Sequence, residues 1–195
     1  MFKFEKLVFG DLGWGDELLL ATLMTITVSI LSMGLGLCLA IVTVWAKLIT
    51  NRIARLIANF YTTVVRGVPE LLVIYLIFFG GNSIVMSVAK LFGYNGYIEL
   101  NALTIGTIAI AFISATYSSE VIRAAYLSVN KGQVEAAKAL GLSKFQILLR
   151  VMGPQIIRFA LPGIGNVWQI TLKDTSLISV TGLVEIMRQT RIASN

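Results

Sequence analysis

Residues Leu18 to Ala46 read LLLATLMTITVSILSMGLGLCLAIVTVWA, a run of 29 positions without a charged side chain. A helix needs about 20 predominantly apolar residues to cross the hydrocarbon core of a bilayer, so this stretch alone selects a membrane span. Working outward, Leu71 to Ala89 adds 19 uncharged residues and Leu100 to Ser119 adds 20. The composition agrees. Of 195 residues, 56% are hydrophobic and 13% charged, whereas soluble domains average about a quarter charged. That balance excludes an ordinary soluble domain, and excludes disorder more firmly. The expected fold class is an all-α membrane protein.

Four spans are predicted, at about 18–45, 56–79, 102–121 and 159–184. Gly34 and Gly36 inside the first suit close helix packing, since small residues let membrane helices approach. The second carries an irregularity near its start, Arg66-Gly67-Val68-Pro69-Glu70, and Gly80-Gly81-Asn82 is expected to end it. Ser83 to Leu100 reads as a loop, with Gly93-Tyr94-Asn95-Gly96-Tyr97 as a turn with interfacial aromatics. The fourth span is expected to be discontinuous. Phe159 to Leu172 gives 14 uncharged residues, Lys173-Asp174 interrupts, and Thr175 to Val184 adds ten. Between the third and fourth spans lies a polar section, 122–158. There Val134, Ala137 and Leu140, then Phe145, Leu148 and Leu149, recur at helical spacing and predict two short amphipathic helices.

The net charge of +6 is read by position rather than as a nucleic-acid signal. Lys47, Arg52 and Arg55 after the first span, with the basic residues around 122–158, place nine cations on one side of the membrane and five on the other. The positive-inside rule then sets the large loop in the cytoplasm and the N-terminus outside. Phe2, Phe4, Leu7, Phe9 and Trp14 suit an interfacial N-terminal segment, and no signal-peptide cleavage site follows a short apolar core. A single Cys, Cys38, excludes a disulfide framework and a Cys-based metal site, and the absence of His removes the commonest general base and metal ligand. No metal site is expected.

The segment Lys131 to Gly141, KGQVEAAKALG, is the strongest feature of the polar section. Ala136, Ala137 and Ala139 favour a helix of little bulk, whose backbone another protein can approach. Gly141 suits a left-handed position that ends the helix sharply. Glu135 near the helix start is favoured by the helix dipole and can pair with an external Arg or Lys. A small rigid knob of this kind can receive force from a soluble partner. The plain rival is an unremarkable amphipathic loop helix.

Glu135-Ala136-Ala137, three residues, then Gly141 resembles the EAA loop of ABC-importer permeases, the segment that docks on the ATPase subunit. The family's following Ile-x-Leu-Pro has its counterpart in Val151-Met152-Gly153-Pro154. Arg66-Gly67-Val68-Pro69-Glu70-Leu71-Leu72 resembles the RG[TV]P-x-L segment of polar amino-acid permeases. Leu161 to Trp168, followed by Leu172-Lys173-Asp174-Thr175-Ser176-Leu177, is similar to a run in the histidine/lysine/arginine/ornithine and octopine/nopaline permeases. The resemblance covers roughly Thr22 onward. It implies a type I ABC-importer permease-like helical bundle, with four spans here where the family usually has a fifth beyond the polar stretch Gln189–Asn195.

It further implies a transmembrane permease subunit in the bacterial inner (plasma) membrane that carries polar, mostly basic, amino acids or opines. The partners implied are an ATPase dimer that binds the ATP, a second and different permease chain, and a periplasmic solute-binding protein. This chain lacks a G-x-x-x-x-G-K-[ST] loop, so no cofactor of its own and no enzymatic role are expected. Glu135, Ala136, Ala137 and Gly141 become the ATPase-coupling residues. Arg66, Glu70, Asp174, Thr175 and Ser176 become the candidate solute pathway. Arg66 and Glu70, four apart, would share a helix face and pair, the rival being that Arg66 snorkels to the interface. Asp174 between two half-spans would bind the cationic group of a basic amino acid, with hydrogen bonds from Thr175 and Ser176. The rival there is that Lys173-Asp174 merely ends a helix at the outer interface. Glu120 and Arg123 read as boundary anchors. Two other functions stay open on the residues: a non-transporting membrane scaffold, and an intramembrane enzyme, for which only a Ser/Lys arrangement at Lys173 is left.

Overall fold

A computed structural model describes residues 8–10, 13–94, 96 and 101–194. The expectations for Phe2, Phe4, Leu7, Asn95 and Tyr97 lie outside the described residues. Within them the chain is helical throughout, in the order α1 (Gly15–Leu48), α2 (Arg52–Gly67), α3 (Glu70–Leu91), α4 (Ala102–Leu127), α5 (Lys131–Ala139), α6 (Lys144–Val180) and α7 (Ile186–Ser194). Four of these, α1, α3, α4 and α6, are long and apolar enough to cross a membrane.

α4 is the axis of the bundle, with α1, α2, α3 and α6 packed around it. Its sequence explains this: Gly106, Ala109, Ala111, Ser114, Ala115, Ser118 and Ser119 are small and buried. In lipid no hydrophobic force drives one apolar helix onto another, so close backbone approach and interhelical hydrogen bonds do the work. α1 meets α4 along Ala21, Thr25, Val28, Ser32, Gly36, Ala40, Thr43 and Lys47, all buried and spaced by three or four. Ser32 Oγ donates to the Thr107 carbonyl at 3.1 Å. A Cβ at Gly36 would stand 2.2 Å from Ser114 Oγ, so this position requires glycine, while Gly34 faces open space.

The second membrane segment differs from its expected bounds. The chain breaks at Val68 (φ −105°, ψ 142°) and Pro69, which divides α2 from α3. Pro69 has no N–H to give a helix and biases Val68 toward extended backbone. Past the break, α3 does not stop at Gly80-Gly81-Asn82. It passes through a wider turn at Leu76–Gly80 and continues to Leu91, so much of the expected loop is helix. α2 is amphipathic, with Ala58, Thr62 and Val65 turned inward and Ile53, Leu56, Ile57 and Phe60 outward.

The fourth segment also differs. α6 does not break at Lys173-Asp174; the α-helix runs through Asp174 and tightens into a 3₁₀ stretch, Thr175–Thr181. Asp174 is buried beside the half-buried Glu70, and the Thr175 hydroxyl donates to the Leu172 carbonyl at 2.7 Å, so the backbone ladder passes the charged pair without a gap. α6 also begins earlier than the expected span, at Lys144, where Ser143 and Gln146 form a reciprocal cap. A π-helical turn, Ile147–Met152, precedes Pro154. Proline removes the donor that would close the ordinary bond to the Arg150 carbonyl, and the ladder shifts by one residue. The polar section 122–158 is thus the end of α4, the short α5 and the start of α6. Gln189 to Ser194, expected only as a polar tail, belongs to α7, whose first turn is capped by the buried Glu185 accepting from Met187 and Arg188 N–H, each at 2.9 Å.

Candidate functional site

The break between α2 and α3 positions the first cluster. α2 has 16 residues and so carries the chain about 24 Å along its axis before Pro69. Arg66 closes α2 and Glu70 opens α3. Because the backbone between them is extended, they do not share a helix face, and the expected Arg66–Glu70 ion pair does not form among the described residues. Tyr117 of α4 stands between them instead. Its hydroxyl donates to Glu70 Oε1 at 3.0 Å, and the Arg66 guanidinium lies over its ring at 5.4 Å from the centroid. Asp174, 7% exposed, enters from α6 beside Glu70.

Glu70, Asp174, Arg66 and Tyr117, from four helices, thus meet at one place. Two carboxyl groups side by side offer several acceptor oxygens to a cationic donor. Thr175 and Ser176 are beside it in sequence, but both hydroxyls donate to their own helix, to the Leu172 and Lys173 carbonyls at 2.7 Å each. Their oxygens are left as acceptors, which suits a cation better than an anion.

A second cluster lies toward the α2 start. Lys47, counted by sequence as a loop cation, is in the last turn of α1 with its side chain 4% exposed. Its ammonium donates to Thr62 Oγ1 at 2.7 Å and pairs with Glu120. Arg123 Nε completes Glu120 at 3.2 Å. Glu120 therefore joins α4 to α1, and Arg123 supports it from one turn further along the same helix. Sequence reasoning passed over Lys47, although its place in the Gly36, Ala40, Thr43 stripe marks it as inward-facing. Tyr117, read only as a residue near a pathway, proves central. Between the clusters opens a recess of about 410 Å³ lined by Thr62, Thr63, Arg66, Gly67, Tyr117 and Glu120.

The Glu135–Gly141 segment forms a site of another kind. Asn130 caps α5 by accepting from Gly132 N–H at 2.8 Å. Gly141 takes φ +78°, the left-handed turn its position predicts, and Leu142 N–H closes onto the Ala137 carbonyl at 3.2 Å. Ala137 is buried, while Glu135, Ala136, Lys138 and Ala139 face outward. Leu140, expected on the inner face, is 81% exposed at the tip, with Phe145 70% exposed beside it in sequence. α5 packs against the π-helical turn of α6, and Gln155 donates to Gln133 across the contact. No cluster of metal-binding side chains occurs among the described residues.

Comparison with known proteins agrees with this architecture. Residues 32–195 match the family described as binding-protein-dependent transport system inner membrane component. The chain is 54% identical over 183 residues to the nopaline transport system permease protein NocQ of Agrobacterium fabrum, covering 93% of this chain and 78% of that one. It is 38% identical over 181 residues to the histidine/lysine/arginine/ornithine transport system permease protein HisQ of Escherichia coli, with 93% and 79% covered. Among solved structures, an amino acid ABC transporter crystallised with histidines superposes with a TM-score of 0.76 at 30% identity, over 92% of this chain and 78% of the other. With four helices able to cross a membrane and a family match over most of its length, the chain belongs to the inner-membrane components of binding-protein-dependent transport systems.

Proposed function

We propose that this chain is a permease subunit of an ABC importer that carries basic amino acids or opines across the bacterial inner membrane. The observation that carries the reading is the contact between Glu70 and Asp174 at a broken helix inside the bundle. Discontinuous helices expose polar backbone ends within a membrane and commonly line solute sites there. Ionisable side chains so placed are costly and are kept for function. The two carboxyl groups face no paired cation of the chain among the described residues, which suits a guanidinium, an ammonium or an imidazolium.

The partners follow from the same reading: an ATPase dimer that binds ATP, a different permease chain, and a periplasmic solute-binding protein. The N-terminus faces the periplasm. Removing the buried Lys47 from the cation count leaves eight against five, the same direction as before. Force enters at α5 through Glu135, Ala136, Ala139 and the exposed Leu140. α5 rests on the π-helical turn of α6, and α6 carries Asp174. Movement of α5 would thus shift Asp174 relative to Glu70. ATP binding must favour one arrangement over the other for this to drive transport.

The test is reconstitution with the partner chains in proteoliposomes, measuring ATP-dependent uptake of L-arginine and nopaline. Glu135→Ala and Gly141→Val should lose the ATPase on purification while the chain stays folded. Asp174→Asn should keep the ATPase and lose uptake. Uptake unaffected by Asp174→Asn, or an ATPase never recovered with the folded wild type, would overturn the reading.

A further inference from the structure

The recess beside Tyr117 carries two charged side chains, Arg66 and Glu120, and they differ in what they have left to bind. Glu120 is committed to Lys47 and Arg123. Arg66 is exposed and forms no ion pair among the described residues; its described contact is the face of Tyr117. Stacking on an aromatic face leaves the in-plane N–H groups of a guanidinium directed outward, and their fork fits a carboxylate with two parallel hydrogen bonds. The uncommitted charge of the recess is therefore positive, and it adjoins the negative seat of Glu70 and Asp174 with the Tyr117 ring between them.

We propose that Arg66 is the carboxylate-binding, specificity-determining residue of the pathway. Basic amino acids and opines all present such a carboxylate beside their cation, and Arg66 is the side chain that would distinguish them from a simple organic cation. This rests on the basic-solute reading above and deepens it. A decarboxylated amine would meet the Glu70–Asp174 seat but leave Arg66 without a partner. A neutral amino acid would satisfy Arg66 and gain less from the carboxyl pair. Losing a charge-assisted hydrogen-bond pair at a partly open site corresponds to roughly a tenfold change in affinity.

The test uses the assembled transporter in nanodiscs without its solute-binding protein, so that the permease's own selectivity is read. Equilibrium binding is measured for L-arginine and nopaline, which carry a guanidinium and carboxylate, and for agmatine, which keeps the guanidinium and the amine of arginine but has no carboxylate. The wild type should hold L-arginine or nopaline about tenfold more tightly than agmatine. Arg66→Gln should bring both down to the agmatine level and leave agmatine within about twofold of wild type, and Arg66→Lys should recover part of the preference. Equal binding of the three probes to wild type, or an equal loss of all three in Arg66→Gln, would overturn the inference while leaving the cation seat in place. Selective loss in Arg66→Gln with no effect of Asp174→Asn on any probe would overturn the cation seat and keep Arg66. Failure of all three probes to bind wild type would overturn the basic-solute reading and this inference together.

Discussion

The two charge clusters flanking the recess use similar side chains in opposite ways. Around Glu120, every strong group is answered: the ammonium of Lys47 has Thr62 and Glu120, and Glu120 has Arg123 as well. Around Glu70, charges of one sign are pressed together and the nearest cation, Arg66, is held off on an aromatic face. Closed pairing ties α1, α2 and α4 into a fixed unit. Incomplete pairing leaves a demand that a solute can meet. Burial of charge therefore does not identify a binding site by itself; whether the charge is answered matters as much.

The largest expected effect tests the closed cluster. Lys47→Met leaves Glu120 with only the half-exposed Arg123 as a partner and Thr62 without its donor, and should destabilise the detergent-solubilised protein by about 2 kcal/mol, since a hydrogen bond to a charged group is among the costlier ones to lose. Lys47→Met with Glu120→Met should recover most of that loss in thermal melting. If the double variant melts no higher than the single, the cluster is not a matched pair. Tyr117→Phe comes next. It removes the hydrogen bond to Glu70 but keeps the ring under Arg66, and should cost about 1 kcal/mol of stability. A melting temperature indistinguishable from wild type would show that Glu70 is not held by Tyr117.

Asp174→Asn should alter stability by less than about 1 kcal/mol, because an uncharged isostere relieves the carboxyl contact while filling the same volume; its effect should appear in uptake. A collapse in stability would make Asp174 a structural residue and erase the contrast between the clusters. Smallest in stability is Leu140→Ser. At an exposed tip it should change stability by no more than about 0.5 kcal/mol, yet reduce ATPase recovery on purification. Undiminished recovery would remove Leu140 from the docking surface.

Much of this was legible from the chain. The long uncharged runs marked α1 and α4, and Gly141 announced a left-handed turn, because both depend on local properties: transfer of apolar side chains to lipid and the conformational range of one residue. The Arg66–Glu70 expectation failed because an i, i+4 argument assumes continuous helix, and Pro69 removes it. The expected interruption at Lys173-Asp174 failed for the converse reason. A charge inside an apolar run looks like a boundary, but a helix continues on its own backbone bonds, and these run through Asp174. Lys47 was misplaced because its neutralising groups, Thr62 and Glu120, are 15 and 73 residues away.

By itself the sequence determined the membrane class, the α-helical character, the conformation of the Glu135–Gly141 turn and the place of the proline break, since each follows from energies acting within a few residues. Only the tertiary structure decided which charges are answered. Pairing in a medium without water depends on which helices meet, at what depth and with which faces, and small residues on α1 and α4 set that distance. Glu120, read from sequence as a boundary anchor, became part of a closed pairing with Lys47 and Arg123, and Glu70 and Asp174, read as pathway candidates far apart in the chain, became neighbours.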